Sequence, residues 1–237
     1  MANNVQIKLS VPDALSDITL GQYQKYLKIL DQNKEDENAA EFINMKTIEI
    51  FCNVEFKDVL KIPLGEAEKV LTIINKAFEE KPDIIRNFKL LNVDMGFIPN
   101  LERISLGEYI DIENGITDWQ TMHKAMAVLY RPVNFKSKEK YTIAPYEPSD
   151  EVSELMKEMP LDVAMSSMVF FYALGMELLK AIPTFIQKNL TEEQTYLLKQ
   201  TLAQSGVGIN QFTHLLKGMS LNSIKLPKVH SSNASPT

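Results

Sequence analysis

The chain has 237 residues, 45% of them hydrophobic, so it can bury a core in one large domain or two small ones. Its formal net charge of −6 argues against general nucleic-acid binding, because phosphate neutralisation requires a basic surface. No Asp or Glu occurs from Gln194 onward, whereas four lysines do, which leaves −10 on the first 193 residues and +4 on the rest. The basic end either folds back on the acidic body, is solvated, or meets an acidic partner.

Cysteine usage and hydropathy indicate a protein made and kept inside the cell. The single Cys52 excludes an intrachain disulfide, and its apolar surroundings in the sequence predict a small buried side chain. The N-terminus has no signal-peptide pattern, and the longest uncharged apolar stretch, Val163–Met176, is too short to span a bilayer. We therefore expect a soluble product with no membrane span.

The N-terminal part of the sequence predicts a strand followed by helices. Val5–Val11 alternates apolar and polar residues, which is typical of a half-buried strand, and Pro12 ends it. Thr19 and Gln22 have the spacing of a capping box, in which each side chain bonds the other residue's amide. The helix that they open is predicted to run to about Asp31.

Two further helices are predicted in this part of the chain. One covers about Ala39–Asn53, and the next follows Pro63, which favours the first position of a helix. The third helix carries one apolar face and stops at Pro82. The residues of that face are Ala67, Val70, Leu71, Ile74 and Phe78.

The middle of the sequence predicts a hairpin over Asn87–Pro99, turning at Asn92–Asp94, and then two helices. The first helix is predicted to be short because Gly115 interrupts it. A second capping box, Thr117 with Gln120, predicts the start of the next helix, which Pro132 would end.

An insertion, 134–159, separates these helices from the next one. Lys138–Lys140 predicts a charged turn, Tyr141–Ile143 a brief strand, and the remaining residues a loop. The following helix, Pro160–Leu179, is apolar nearly all round, which predicts that it is the central buried helix.

Similar short sequence segments occur twice, in the same order, along the chain. Ile18–Tyr23 (Ile-Thr-Leu-Gly-Gln-Tyr) corresponds to Ile104–Tyr109 (Ile-Ser-Leu-Gly-Glu-Tyr), and both combine a capping box with the apolar ends of a hydrophobic staple. Ile62–Leu64 likewise corresponds to Met159–Leu161. Ordered matches of this kind predict two copies of one structural unit.

The predicted fold class is therefore mostly α with short β strands (α+β). It consists of an internally duplicated strand-plus-three-helix unit followed by a C-terminal helical extension. The predicted domains are listed by residue number: a first repeat, 1–85; a second repeat, 86–186, with the insertion 134–159; a helical extension, 187–219; and a flexible basic tail, 220–237.

Motifs for catalysis or cofactor binding are lacking in the sequence. It contains no phosphate-binding glycine loop and no nucleophile elbow, and its three histidines have no metal-site spacing. Asp111, Glu113 and His123 form the best candidate for acid–base chemistry, but a structural role explains the same residues. We therefore predict no catalytic, cofactor-binding or metal-binding residues and a non-enzymatic protein.

Several phrases resemble tail-assembly proteins of contractile-tailed bacteriophages, most closely the base-plate hub and hub-assembly family of T-even-type phages. They are Leu15–Tyr26, Ile104–Ile112 and Trp119–Pro132, and the resemblance extends over roughly Val5–Ile182. It implies a virion or assembly protein without catalytic residues. Such a protein would be found in the virion tail, or in the host bacterial cytoplasm during assembly.

The primary hypothesis is accordingly a tail or base-plate hub protein, or a tail-assembly chaperone, that contacts other phage tail or base-plate proteins. A head–tail connector or ring protein is the alternative, and an enzyme that uses the His123 neighbourhood is a third reading. Self-association as a homo-oligomer stays open. The predicted partner contacts are Trp119, His123, Arg131, Phe135, Tyr141 and Tyr146.

Overall fold

Helices form most of the described chain, and four short strands form one antiparallel sheet, which confirms the predicted class of mostly α with short β strands. The computed structural model describes residues 9–36, 38–138 and 140–171. The predicted helical extension and the basic tail lie outside these residues. So does most of the predicted strand Val5–Val11, and its described residues, 9–11, are not in a strand.

The described residues divide into two units. The first contains residues 9–81 together with Lys157–Asp162, and the second contains residues 82–156 and the described residues from 163 onward. The insertion was predicted to belong to the second repeat as far as residue 159. Its last residues, from Lys157, instead belong to the first unit.

The first unit contains four helices, one more than predicted. The additional helix has only four residues and lies between the second and third predicted helices. Pro63 is the N-cap of the last helix and not its first residue. The helices are α1 (Leu20–Gln32), α2 (Ala40–Phe51), α3 (Phe56–Val59) and α4 (Leu64–Ala77).

Aromatic rings from three helices form the centre of this unit. The Tyr26 and Phe51 ring centroids lie 5.2 Å apart, and Phe78 lies 5.6 Å from Phe51 and 5.7 Å from Tyr23. Tilted aromatic rings at these separations stabilise the core beyond the burial of their surface area. Cys52, which follows Phe51 in the sequence, is buried, as predicted. Burial raises the pKa of its thiol to about 11.

The start of α1 is fixed by its capping box and by a distant segment of the chain. The Thr19 hydroxyl accepts from the Gln22 amide at 3.1 Å, and the Gln22 side chain accepts from the Thr19 amide at 2.8 Å. The segment Met159–Leu161 then bonds the same backbone from outside. Leu161 N donates to Ile18 O at 2.8 Å, and Leu20 N donates to Met159 O at 2.9 Å.

Gly21 allows this close approach. An added Cβ at Gly21 would lie 3.1 Å from both Cβ and O of Lys157, which is tighter than most real contacts. A larger residue at this position in the first unit would need Lys157 to shift by a few tenths of an ångström.

The second unit combines the sheet with four helices. The strands pair in the order β1-β2-β3-β4, all antiparallel. The elements are β1 (Asn87–Leu90), β2 (Val93–Phe97), α5 (Leu106–Ile116), α6 (Met122–Leu129), β3 (Tyr130–Ser137), β4 (Lys140–Ile143), α7 (Asp150–Leu155) and α8 (residues 161–171, of which those from 163 belong to this unit).

The predicted first hairpin and the capping box at Ser105 are confirmed, but the predicted turn at Asn92–Asp94 is wrong because Val93 and Asp94 already belong to the second strand. Leu90 pairs with Val93, so the turn consists of Leu91 and Asn92, both with positive φ, as a tight two-residue hairpin requires. Ser105 and Glu108 bond each other's amides at the start of α5, as Thr19 and Gln22 do in α1.

Four details of the prediction are wrong in the second unit. Gly115 does not interrupt α5, which continues to Ile116. The glycine lies where α5 packs against α6, and an added Cβ would lie 2.7 Å from Ala125 N. Thr117 is consequently the C-cap of α5 and forms no capping box. Pro132 lies inside β3 instead of ending a helix, and a helix, α7, occupies part of the predicted loop.

Tyr130 connects the sheet to the beginning of α8. Its hydroxyl donates to Ile85 O at 2.6 Å and shares a 2.8 Å hydrogen bond with Ser167 Oγ. Its ring contacts Phe97 edge-on at 5.2 Å. A buried tyrosine with a bonded hydroxyl fixes the direction of packing as well as its area.

Replacing Gly21 tests whether Lys157 constrains the start of α1. We expect Gly21→Ala to lower the free energy of unfolding by about 1–2 kcal/mol, because the new methyl group overpacks against Lys157. Gly65 occupies the same second position in α4 and has no atom near its missing Cβ. Gly65→Ala should therefore be neutral or stabilise by roughly 0.5 kcal/mol. Urea denaturation measures both, and equal effects would contradict the packing role of Gly21.

Candidate functional site

The first turn of α5 carries a buried carboxylate with two sets of partners. Glu108 Oε2 accepts from the Ser105 amide at 2.6 Å, and Glu108 Oε1 lies 2.8 Å from Arg131 Nη2 on β3. About a tenth of each charged side chain is exposed. Glu108 therefore caps its own helix and also connects that helix to the sheet.

Charge and hydrogen bonds hold Glu108 ionised despite its burial. Burial alone raises the pKa of this carboxyl, but the hydrogen bonds from Ser105 and the charge of Arg131 outweigh it, so the pKa is lowered. The pair is thus a charged link between α5 and β3 at neutral pH.

A tyrosine from the segment after β4 extends this cluster. Tyr146 OH donates to Asp111 Oδ2 at 2.5 Å, and its ring lies 5.9 Å from the Arg131 guanidinium carbon. Burial, the hydrogen bond to Asp111 and the two nearby carboxylates raise the pKa of Tyr146 to about 12. We call Glu108, Asp111, Arg131 and Tyr146 the α5 polar cluster.

The predicted contact residues Arg131 and Tyr146 are thus brought together, but in internal contacts. Sequence reasoning placed Arg131 at the end of a helix, whereas it lies in β3 and pairs with Glu108. Tyr141 is half-buried, and its hydroxyl donates to Phe97 O at 2.7 Å. These three side chains hold the second unit together.

Trp119 and His123 were expected to expose part of their surface, and both are buried. His123 Nε2 lies 3.4 Å from Glu154 Oε1, so α6 contacts α7 through this pair. Asp118, next to the tryptophan, accepts from the Gln120 amide at 2.9 Å, which is a local turn contact. His123 thus meets a carboxylate of α7, whereas Asp111 pairs with Tyr146.

Phe135 alone among the predicted contacts has a mostly exposed side chain, at 65%. It lies on β3 beside a shallow groove of about 370 Å³ in the face of the sheet. The groove is lined by Asn87, Phe88, Lys89, Asp94, Val133, Asn134, Phe135 and Lys136. Its rim carries the ion pair of Lys89 and Asp94, 3.6 Å apart.

Sequence reasoning missed the β1 and β2 residues of this groove. The predicted hairpin was already a signal, because exposed residues on neighbouring antiparallel strands share a face. The pairing of β2 with β3 could not be read locally, since the two strands lie more than 30 residues apart in the chain.

No protein-family model, curated protein or solved structure matches this chain. Among the described residues, no helix combines the length and apolar composition needed to cross a bilayer. The same part of the chain holds no group of three His, Cys, Asp or Glu side chains placed to bind a metal ion.

Breaking the Glu108–Arg131 pair should destabilise the protein strongly. We expect Arg131→Met to lower the free energy of unfolding by about 3 kcal/mol at pH 7, because a buried carboxylate loses its counter-charge. The double variant Glu108→Gln/Arg131→Met should recover much of this loss, since Gln also completes a capping box.

The cost of Arg131→Met should depend on pH in one direction. A carboxyl with a lowered pKa stabilises the fold above its ordinary pKa and loses this contribution as pH falls. Urea denaturation of wild type and variant should therefore converge below about pH 4. A cost that is unchanged at low pH would assign the effect to lost packing of the arginine stem.

Proposed function

We propose that the protein is a non-enzymatic bacteriophage tail or base-plate protein, a hub subunit or a tail-assembly chaperone, that acts through protein–protein contacts. The resemblance of Leu15–Tyr26 and Trp119–Pro132 to tail-assembly proteins supports the phage assignment. The expected location is the virion tail, or the host cytoplasm during assembly.

The single observation that carries a contact function is the exposed aromatic side chain of Phe135 in the groove. Phe135 exposes 65% of its surface, and it lines the groove together with the apolar residues Phe88 and Val133. The same groove is lined by Lys89 and Asp94, which form an ion pair. Exposed apolar groups rimmed by charge are typical of protein-contact surfaces.

The polar groups of the second unit support the non-enzymatic part of the proposal. Glu108, Asp111, Arg131 and Tyr146 bond one another, and His123 is buried against Glu154. An acid–base site needs a titratable group within reach of a substrate proton. The proposed function accordingly uses surface contacts between proteins.

The proposal predicts that this chain co-purifies with phage tail structures. Tails and tail-assembly intermediates, purified from infected host cells, should contain it by mass spectrometry. Presence in mature tails favours a hub subunit, and presence in intermediates alone favours a chaperone. A ring-sized species of the isolated protein in light scattering, together with its presence in heads, would favour the connector alternative.

Replacing Phe135 should weaken this association without unfolding the protein. We expect Phe135→Ser to reduce co-purification with tails at least about threefold, because an exposed ring supplies contact area rather than core. Its stability should change by no more than about 0.5 kcal/mol. Leu60→Ser is the matched control, since Leu60 is 61% exposed on the first unit. Equal losses for both variants would contradict a contact role of the groove.

A further inference from the structure

The end of the β3–β4 hairpin carries exposed lysines next to the exposed ring of Phe135. Lys136 lines the groove together with Phe135, and Lys138 and Lys140 follow in the hairpin. All three lysines are exposed, and among the described residues no ion pair includes them. Lys138 has a φ of 55°, a conformation that glycine or asparagine adopts at lower cost. We call Phe135, Lys136, Lys138 and Lys140 the hairpin face.

Helix α7 carries exposed aliphatic side chains next to exposed carboxylates. It contacts α6 through Glu154, and Val152, two positions away, lies on the far side of the helix. Leu155 lies on the same side as Val152, and the two are 44% and 43% exposed. Asp150 and Glu151 are exposed in the first turn, and no ion pair of the described chain includes either. We call Asp150, Glu151, Val152 and Leu155 the α7 outer face.

The two faces complement each other in charge and in apolar surface. One presents an aromatic ring beside three cations, and the other presents two aliphatic side chains beside two carboxylates. Both faces belong to the second unit, and within the described part of one chain no ion pair joins them. Apolar groups that pack together inside a rim of paired charges are typical of protein–protein contacts. A second copy of the chain therefore offers each face a partner of matching chemistry.

We propose that the hairpin face of one copy binds the α7 outer face of a second copy. The ring of Phe135 packs against the aliphatic side chains of α7, and the lysines pair with its carboxylates. A contact between two hairpin faces is disfavoured, because it would oppose lysine to lysine. Since the two faces differ, the contact is heterologous, and its repetition closes a ring or extends a filament.

This inference rests on the proposed contact function of the groove and names the partner that binds there. The two fail separately. Absence of the chain from tails and tail intermediates removes the phage function and leaves the self-association below intact. A chain that stays monomeric removes the inference, and its co-purification with tails then requires a different protein at the groove.

Sedimentation velocity of the full chain, at concentrations up to about 0.5 mM, tests the contact. The weight-average mass should rise with protein concentration. Raising the salt concentration from about 0.1 to 1 M should weaken the association, because the Debye length falls from about 10 to 3 Å. Lys136→Glu/Lys138→Glu should raise the Kd of self-association at least about tenfold. Lys25→Glu/Lys28→Glu makes the same charge change at exposed positions of α1 and should alter the Kd less than about twofold.

Reversing the charges of the other face gives a test by rescue. Asp150→Lys/Glu151→Lys should also raise the Kd at least about tenfold, because it opposes lysines to the hairpin lysines. An equimolar mixture of this variant with Lys136→Glu/Lys138→Glu should associate again, within about threefold of the wild-type Kd, since each copy then meets opposite charges. Loss of folding in either variant could not produce this recovery.

An uncharged variant covers the case in which the new lysines unfold α7. Val152→Ser keeps every charge of the α7 outer face and should raise the Kd at least about threefold, because it removes apolar contact area. A wild-type protein that is monomeric at every concentration overturns the proposal. So does association that either Lys136→Glu/Lys138→Glu or Val152→Ser leaves unchanged. A mixture that stays monomeric, although both charge-reversed variants melt at the wild-type temperature, overturns it as well.

Discussion

The reciprocal pairing of an N-cap hydroxyl with the side chain three residues later determines how α1 and α5 begin. Four amides at a helix start have no partner within the helix, and the capping box satisfies two of them at once. Thr19 with Gln22 and Ser105 with Glu108 do so with the same geometry. The chain can therefore use this device twice while the elements around it differ.

The third residue of each helix, Gln22 in α1 and Glu108 in α5, determines which neighbouring element the helix binds. Gln22 has an amide nitrogen left over, which donates to Ile50 O on α2 at 2.8 Å. Glu108 has a second carboxylate oxygen instead, which pairs with Arg131 on β3. An amide at this position thus connects α1 to a helix backbone, whereas a carboxylate connects α5 to a charged side chain of the sheet.

Local signals in the sequence predicted the parts of the fold that local chemistry determines. The capping boxes at Thr19 and Ser105 and the hairpin before Ile98 were found because their partners lie within a few residues. The prediction at Gly115 was wrong because a glycine is needed there for the close approach of Ala125, and the residues next to Gly115 in the sequence do not reveal that contact. The box predicted at Thr117 had the right spacing, but α5 continues past Gly115 and uses Thr117 as its end.

The candidate site was harder to predict because its contacts cross the chain. Glu108 meets Arg131, and Asp111 meets Tyr146, across separations that no periodicity encodes. The sequence identified Arg131 and Tyr146 as noteworthy but not as partners of one cluster. The different exposure of Leu20 and Leu106 could not be predicted either, because two similar segments carry no information about what packs on them.

The solitary buried thiol gives this protein an intrinsic reporter of opening. Cys52 is inaccessible and poorly ionised in the folded first unit, and alkylating reagents attack the exposed thiolate. Because the chain has no other cysteine, each modification event marks exposure of the end of α2 and nothing else. The rate of alkylation thus reports the opening equilibrium of the first unit around Cys52 and does not report opening of the second unit.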